Sequence, residues 1–94
     1  MIGILIFPDF QLLDATDPAS VFEIAQRLVP AAATAGMIAV RPGVVRSSSG
    51  VEVLAGGLEA VDDITTLVVA GGFGVDQAVD CRDTLALLRH LARR

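Results

Sequence analysis

Gly71-Gly72-Phe73-Gly74 follows an apolar run and precedes a helical pattern, the setting in which phosphate and dinucleotide turns occur. The dinucleotide fingerprint needs a third small residue three places after the second glycine of G-x-G. Counted from Gly72 and Gly74, that place holds Gln77, so the match fails. No Gly-Lys-Ser or Gly-Lys-Thr is present, which removes a phosphate-cradling loop as well. Two readings remain. The glycines form a bare stretch of backbone whose N–H groups can stabilise a developing negative charge, or a tight turn with no ligand, and the pattern alone favours the turn. Asp14 and Asp17 follow the first apolar run. Each could cap a helix, or present a carboxyl group that orients a nucleophile or binds a polar ligand. Cys81 and His90 are the single cysteine and the single histidine. A catalytic thiol needs a base in contact with it, and two turns of helix already separate two groups by on the order of 10 Å. His90 is therefore expected on a solvated, arginine-rich face. One Cys and one His give no metal-ligand spacing, so neither a metal nor a cofactor is expected.

The elements that must position these residues alternate between two rhythms. Ile2–Phe7, Ala35–Val40 and Ile64–Ala70 are short runs rich in β-branched residues, the pattern of strands buried on both faces. Val44–Arg46 and Val51–Leu54 flank Ser47-Ser48-Ser49-Gly50 and can pair as a hairpin. Asp14 to Pro18 offers capping oxygens and then a proline suited to a first helical turn. The expected helix runs from Pro18 to Val29, with Val21, Ile24, Ala25 and Leu28 as its apolar stripe. One helical turn is expected over Leu58–Val61, and a second helix capped by Asp83 with Thr84, Leu87, Leu88 and Leu91 inward. The order β-α-β-(β-β)-β-α calls for a parallel sheet with helices on its faces. Such sheets bind ligands beyond the carboxyl ends of their strands. The loops Pro8–Asp17 and Gly71–Val75 leave those ends, which is where a site is expected.

Composition excludes several classes of function. The chain has 94 residues, 53% apolar and 19% charged, with mean hydropathy +0.65. This is core-rich sequence, and further covering elements are expected outside it. Charge, Gly or Pro interrupts every apolar run before it could span a membrane. The apolar start lacks a basic leader, and a lone cysteine fits a reducing compartment, so a cytoplasmic location is expected. Net charge is −4 and lysine is absent, so this surface repels nucleic-acid backbones.

The residues also resemble a known family. Ile2-Gly3-Ile4-Leu5-Ile6-Phe7-Pro8-Asp9-Phe10-Gln11-Leu12-Leu13-Asp14 resembles the first strand and loop of ThiJ/PfpI (class I glutamine amidotransferase-like) domains. More narrowly, it is similar to those at the N-terminus of AraC-type transcription regulators. Asp14-Ala15-Thr16-Asp17-Pro18 with Val21-Phe22-Glu23-Ile24-Ala25 is similar to the family's Asp-x-x-Gly-Pro turn and apolar helix. Val45-Arg46-Ser47-Ser48-Ser49-Gly50-Val51 and Leu67-Val68-Val69-Ala70-Gly71-Gly72-Phe73-Gly74-Val75 resemble its later segments, in consistent order. Asp17 departs from the usual glycine, and Ser20 stands where many enzymes of the family carry glutamate.

The resemblance implies a flavodoxin-like or Rossmann-like α/β fold, with helices on both faces of a parallel sheet. Residues 1–94 would be the N-terminal part of one such domain, incomplete at its C-terminus, because the family's cysteine elbow follows the last helix. It further implies that Gly71, Gly72, Phe73 and Gly74 form a ligand pocket with Asp14 as its acidic wall, and that no residue here is a nucleophile. The implied function is a non-catalytic ligand-sensing and dimerisation domain of an AraC-type regulator. Its partners would be a small-molecule ligand and a second copy of the chain. DNA would be met only through a helix-turn-helix region not among these residues. The competing implication is a cysteine hydrolase or hydratase of the isonitrile hydratase type, against which Ser20 argues mildly. A truncated product without activity is the third reading.

Overall fold

A three-stranded parallel sheet organises the chain, with β1 (Ile2–Leu5) at its centre. It pairs on one side with β2 (Ala35–Ile38) and on the other with the strand Thr66–Val69, so that Ile2 stands opposite both Ala35 and Thr66. Between them in sequence, β3 (Gly43–Arg46) and β4 (Glu52–Ala55) form an antiparallel ribbon, which makes Thr66–Val69 the fifth strand, β5. The computed structural model describes residues 1–59, 61–79 and 81–93. All three expected parallel runs therefore lie in one sheet, but only β1 is buried on both faces as expected. β2 is half-buried over Ala35–Met37 and β5 is exposed at Thr66 and Val69, because helices and strands cover these outer strands less completely. The apolar run Ile64–Ala70 takes an outer place, and β5 pairs with β1 alone among the described strands.

The alternation of β1 divides the core. Ile4 and Ile6 join Ala15, Phe10, Ala39 and Val45 on one face. Leu5 joins Ile38, Ile64 and Leu87 on the other. Helices cover both faces, α1 (Leu12–Leu28) the first and α3 (Arg82–Ala92) the second, with the short α2 (Val75–Val79) between β5 and α3. No helix among the described residues is long and apolar enough to cross a membrane.

Three local expectations need correction. First, α1 begins at Leu12 with Gln11 as its N-cap, not at Pro18, and Pro18 lies inside it. The start is fixed by a remote bond, the Gln11 N–H donating to the Gly71 carbonyl at 2.8 Å, rather than by a local cap. Pro18 leaves the Asp14 carbonyl without its helical donor, so Pro18→Ala should stabilise the fold by up to about 3 kcal/mol. Chemical denaturation of the two proteins checks this.

Second, the anticipated stripe faces outward: Val21, Ile24 and Leu28 are 61%, 56% and 78% exposed. The helix has two apolar faces, and the smaller side chains dock. Ala15 is buried, and Leu12 and Ala19 pack against the same cluster at i, i+3 and i+7. Third, Cys81, not Asp83, is the N-cap residue of α3, with Asp83 in its first turn. The inward stripe Thr84, Leu87, Leu88 and Leu91 is as expected. The 3-10 turn before β5 is Val61–Asp63, later than anticipated, while Ala60 within the expected turn lies outside the described residues.

Candidate functional site

Three segments converge at the carboxyl edge of the sheet. The chain leaving β1 turns sharply at Asp9, whose φ of 64° lies in the left-handed region that aspartate tolerates better than most residues. Phe10 is then fully buried and anchors the loop. On one side, the Asp9 N–H donates to the Arg46 carbonyl at 2.9 Å and the Ser48 N–H to the Phe10 carbonyl at 3.0 Å, which ties the loop to the hairpin. Ser47 is buried beside this junction, and its hydroxyl pairs with that of Ser49 at 2.9 Å.

On the other side the loop meets the glycine turn. The Gly74 N–H donates to the Asp9 carbonyl at 3.1 Å, beside the Gln11–Gly71 bond. The glycines are required by this approach. A Cβ on Gly74 would stand 2.0 Å from the Pro8 carbonyl oxygen, and one on Gly72 2.5 Å from the Gln11 nitrogen. Gly72 also has a φ of 119°, which side chains rarely adopt.

Asp14 lies in the first turn of α1, and its Oδ2 accepts the Gly71 N–H at 2.9 Å. A carboxylate is favoured there by the partial positive charge of the helix start. The structure thus brings together Asp14, Gly71, Gly72 and Gly74 as the sequence suggested, and Phe73 stands on the same turn with 90% of its surface exposed. Neither the Gly72 nor the Phe73 N–H has a hydrogen-bond acceptor among the described residues. A carboxylate oxygen and two uncommitted amides within one turn can bind a polar ligand carrying a donor and an acceptor. Asp17, the other acid raised by the sequence, is an exposed residue of α1 and not part of the turn.

Cys81 and His90 are held at opposite ends of α3. His90 Nε2 meets Asp62 Oδ1 at 3.2 Å, beside the turn that precedes β5 and away from the glycine turn that follows it. Cys81 makes no capping hydrogen bond to α3. Its thiol nevertheless lies near the Thr84 hydroxyl, then the Thr84 and Asp83 amides, and these hold its pKa below the ordinary thiol value against desolvation and the Asp83 charge. A lowered folded-state pKa means more thiolate at a given pH than in the unfolded chain. Iodoacetamide near neutral pH should therefore alkylate the folded chain faster than the urea-unfolded chain per unit of accessible thiol, and Thr84→Val should reduce the difference. Equal rates would show that Thr84 does not tune the thiol.

No family model matches the sequence, and no curated protein sequence matches it. Solved structures do. The chain superposes on an AraC family transcriptional regulator from Pseudomonas putida with a TM-score of 0.70 and 23% identity, over 77% of this chain and 46% of that one. It superposes on a two-domain protein from Anabaena variabilis containing DJ-1/ThiJ/PfpI-like and ferritin-like domains with a TM-score of 0.78 and 16% identity, over 98% of this chain and 26% of that one. A DJ-1 superfamily protein from Agrobacterium tumefaciens gives 0.69 and 21%, over 99% of this chain and 48% of that one. The chain spans less than half the length of each. These likenesses are of fold, and the fold is the one the sequence resemblance implied.

Proposed function

We propose, from the premise of that shared ThiJ/PfpI-type fold, that this chain supplies the ligand-sensing part of an AraC-type regulator. Its ligand is a small polar molecule held at the carboxyl edge of the sheet. The observation that carries the reading is the Asp14–Gly71 bond, which couples the first turn of α1 to the glycine turn. A ligand donor would engage the free Asp14 oxygen, while a ligand oxygen would accept from the Gly72 and Phe73 amides. Because those groups belong to α1 and to the β5–α2 turn, occupancy would fix these two elements against each other. That is a physical route for a binding signal to reach a second copy docked on the exposed apolar face of α1. In this reading the chemistry is binding alone, and the protein meets DNA through a separate helix-turn-helix region.

The competing reading, a hydratase that adds water to an isonitrile, uses the same amides as oxyanion donors and requires a nucleophile beside them. Cys81 has no base in contact with it among the described residues, its single histidine counterpart being committed to Asp62. The test is a panel of small polar compounds added to the chain, read by amide chemical shifts. Expected are ligands that perturb residues 11–14 and 71–74, with affinity falling about tenfold or more in Asp14→Ala, the loss of one charge-assisted hydrogen bond. Conversion of an isonitrile to its formamide, abolished by Cys81→Ser, would replace the sensing reading with the enzymatic one.

A further inference from the structure

A second cleft of about 660 Å³ opens beside the glycine turn, at the carboxyl edge of the sheet, between the strand ends, β3 and the start of α3. It shares Gly74 with that turn but none of Asp14, Gly71, Gly72 or Phe73. Its floor is apolar, made by the ends of β1 and β2 and by β3, with Ile6, Phe7, Ala39 and Val45 all buried. Its rim is polar. Arg41 and Arg46 stand on one side, and Gln77, Cys81 and Thr84 on the other.

The charge of this rim is out of keeping with the chain. Eleven acids outnumber seven arginines in the sequence, yet among the described residues no acidic side chain lines the cleft. Neither arginine forms an ion pair among the described residues, whereas Arg27, elsewhere, pairs with Glu23 at 3.3 Å. The Arg46 side chain lies over the hairpin turn, its Nη2 3.4 Å from where a Cβ on Gly50 would stand. The residue that opens α3, Cys81, is on the opposite rim, and the helix makes no side-chain cap there. Partial positive charge at that helix start adds to the two guanidinium groups. An apolar floor with two guanidinium groups on its rim recognises a molecule that has an apolar body and an anionic end. A guanidinium fork matches a carboxylate, and its charge-assisted bonds strengthen against a water-poor floor.

We infer that the Arg41–Arg46–Cys81 cleft is a second binding site, and that it takes an organic carboxylate whose apolar body lies on the floor formed by Phe7, Ala39 and Val45. The inference is independent of the Asp14 pocket. It assigns no reaction to the cleft. The carboxylate end contacts the arginines, and the body displaces water from the strand ends. The volume suits a ligand of modest size rather than a peptide.

The probe is octanoate, titrated into the chain and followed by amide chemical shifts, with octanamide and inorganic phosphate in parallel. Octanoate should perturb residues 39–46, 77, 78 and 81–84. Octanamide, equal in its apolar body, should bind about tenfold or more weakly, and so should octanoate to Arg41→Gln or to Arg46→Gln. Inorganic phosphate should bind less tightly than octanoate because it buries no apolar surface. Ala78→Phe, which fills the cleft from α2, should abolish octanoate binding while the far-ultraviolet dichroism stays that of the parent chain. Equal affinity for octanoate and octanamide overturns the charge recognition, and equal affinity for phosphate overturns the apolar floor. Perturbations confined to the exposed face of α1 or to residues 11–14 and 71–73, or no binding below the concentration at which octanoate self-associates, overturn the site.

Discussion

Replacing Gly74 with alanine should cost more than about 4 kcal/mol, enough to unfold a domain of ordinary stability. Its added Cβ would stand 2.0 Å from the carbonyl oxygen of Pro8. The obstacle is backbone, so no side-chain rotation relieves it. The two segments would have to separate, breaking the Gly74–Asp9 hydrogen bond and the Gln11–Gly71 bond next to it. Gly71→Ala provides the contrast, because the nearest atom to its Cβ is the Asp14 carboxylate oxygen at 2.9 Å, the end of a side chain that can swing away. Urea denaturation of the two variants should therefore separate them widely. Comparable losses would show that the loop and the turn are not held as closely as described.

Phe10→Ala should destabilise the chain by about 3–5 kcal/mol, the usual cost of removing a fully enclosed aromatic ring. The ring is 0% exposed although it stands in a loop, and it packs with Ile4, Ile6 and Ala15. Its backbone also joins the hairpin through the Ser48 N–H and a parallel bridge to Ser47. The effect should thus exceed lost stability. Amide exchange should accelerate at Asp9, Ser48 and Gly74 together, since one anchor holds all three segments. Phe73→Ala, on the neighbouring turn, removes a ring that is 90% exposed and should change stability by no more than about 0.5 kcal/mol. A similar loss from both substitutions would contradict the packing.

The strands were legible because short apolar runs rich in β-branched residues leave a local mark. The burial on both faces that such runs suggest holds for β1 and not for β5, which is exposed at Thr66 and Val69. The hairpin announced itself through Ser47-Ser48-Ser49-Gly50 between two β-branched runs. The meeting of Asp14 with the glycine turn followed from topology, since both loops leave the same edge of a parallel sheet. The start of α1 was not legible, because Asp14-Ala15-Thr16-Asp17-Pro18 is a credible cap by itself and the deciding bond joins Gln11 to a residue near position 70 of the chain. The docked face of α1 was obscured for a related reason. Val21, Ile24 and Leu28 outweigh Ala15 and Ala19 in hydrophobicity, but only small side chains allow the helix to approach the sheet closely. Nor could the second cleft be read in advance, as Arg41, Arg46, Gln77 and Cys81 come from separate segments with no motif to link them.

The central position of β1 has a consequence for how the chain acquires its shape during synthesis. Met1–Phe7 leaves the ribosome before either partner strand, yet Ile2 must wait for Ala35 to satisfy one edge and for Thr66 to satisfy the other. Throughout that interval a strand that will be wholly enclosed remains open on at least one side. Its contacts span long stretches of sequence, so loop closure precedes their reward and folding is slowed. Slowing translation between Ala35 and Thr66 should therefore lengthen the exposure of this apolar segment, read as increased co-translational capture by chaperones that hold short apolar segments.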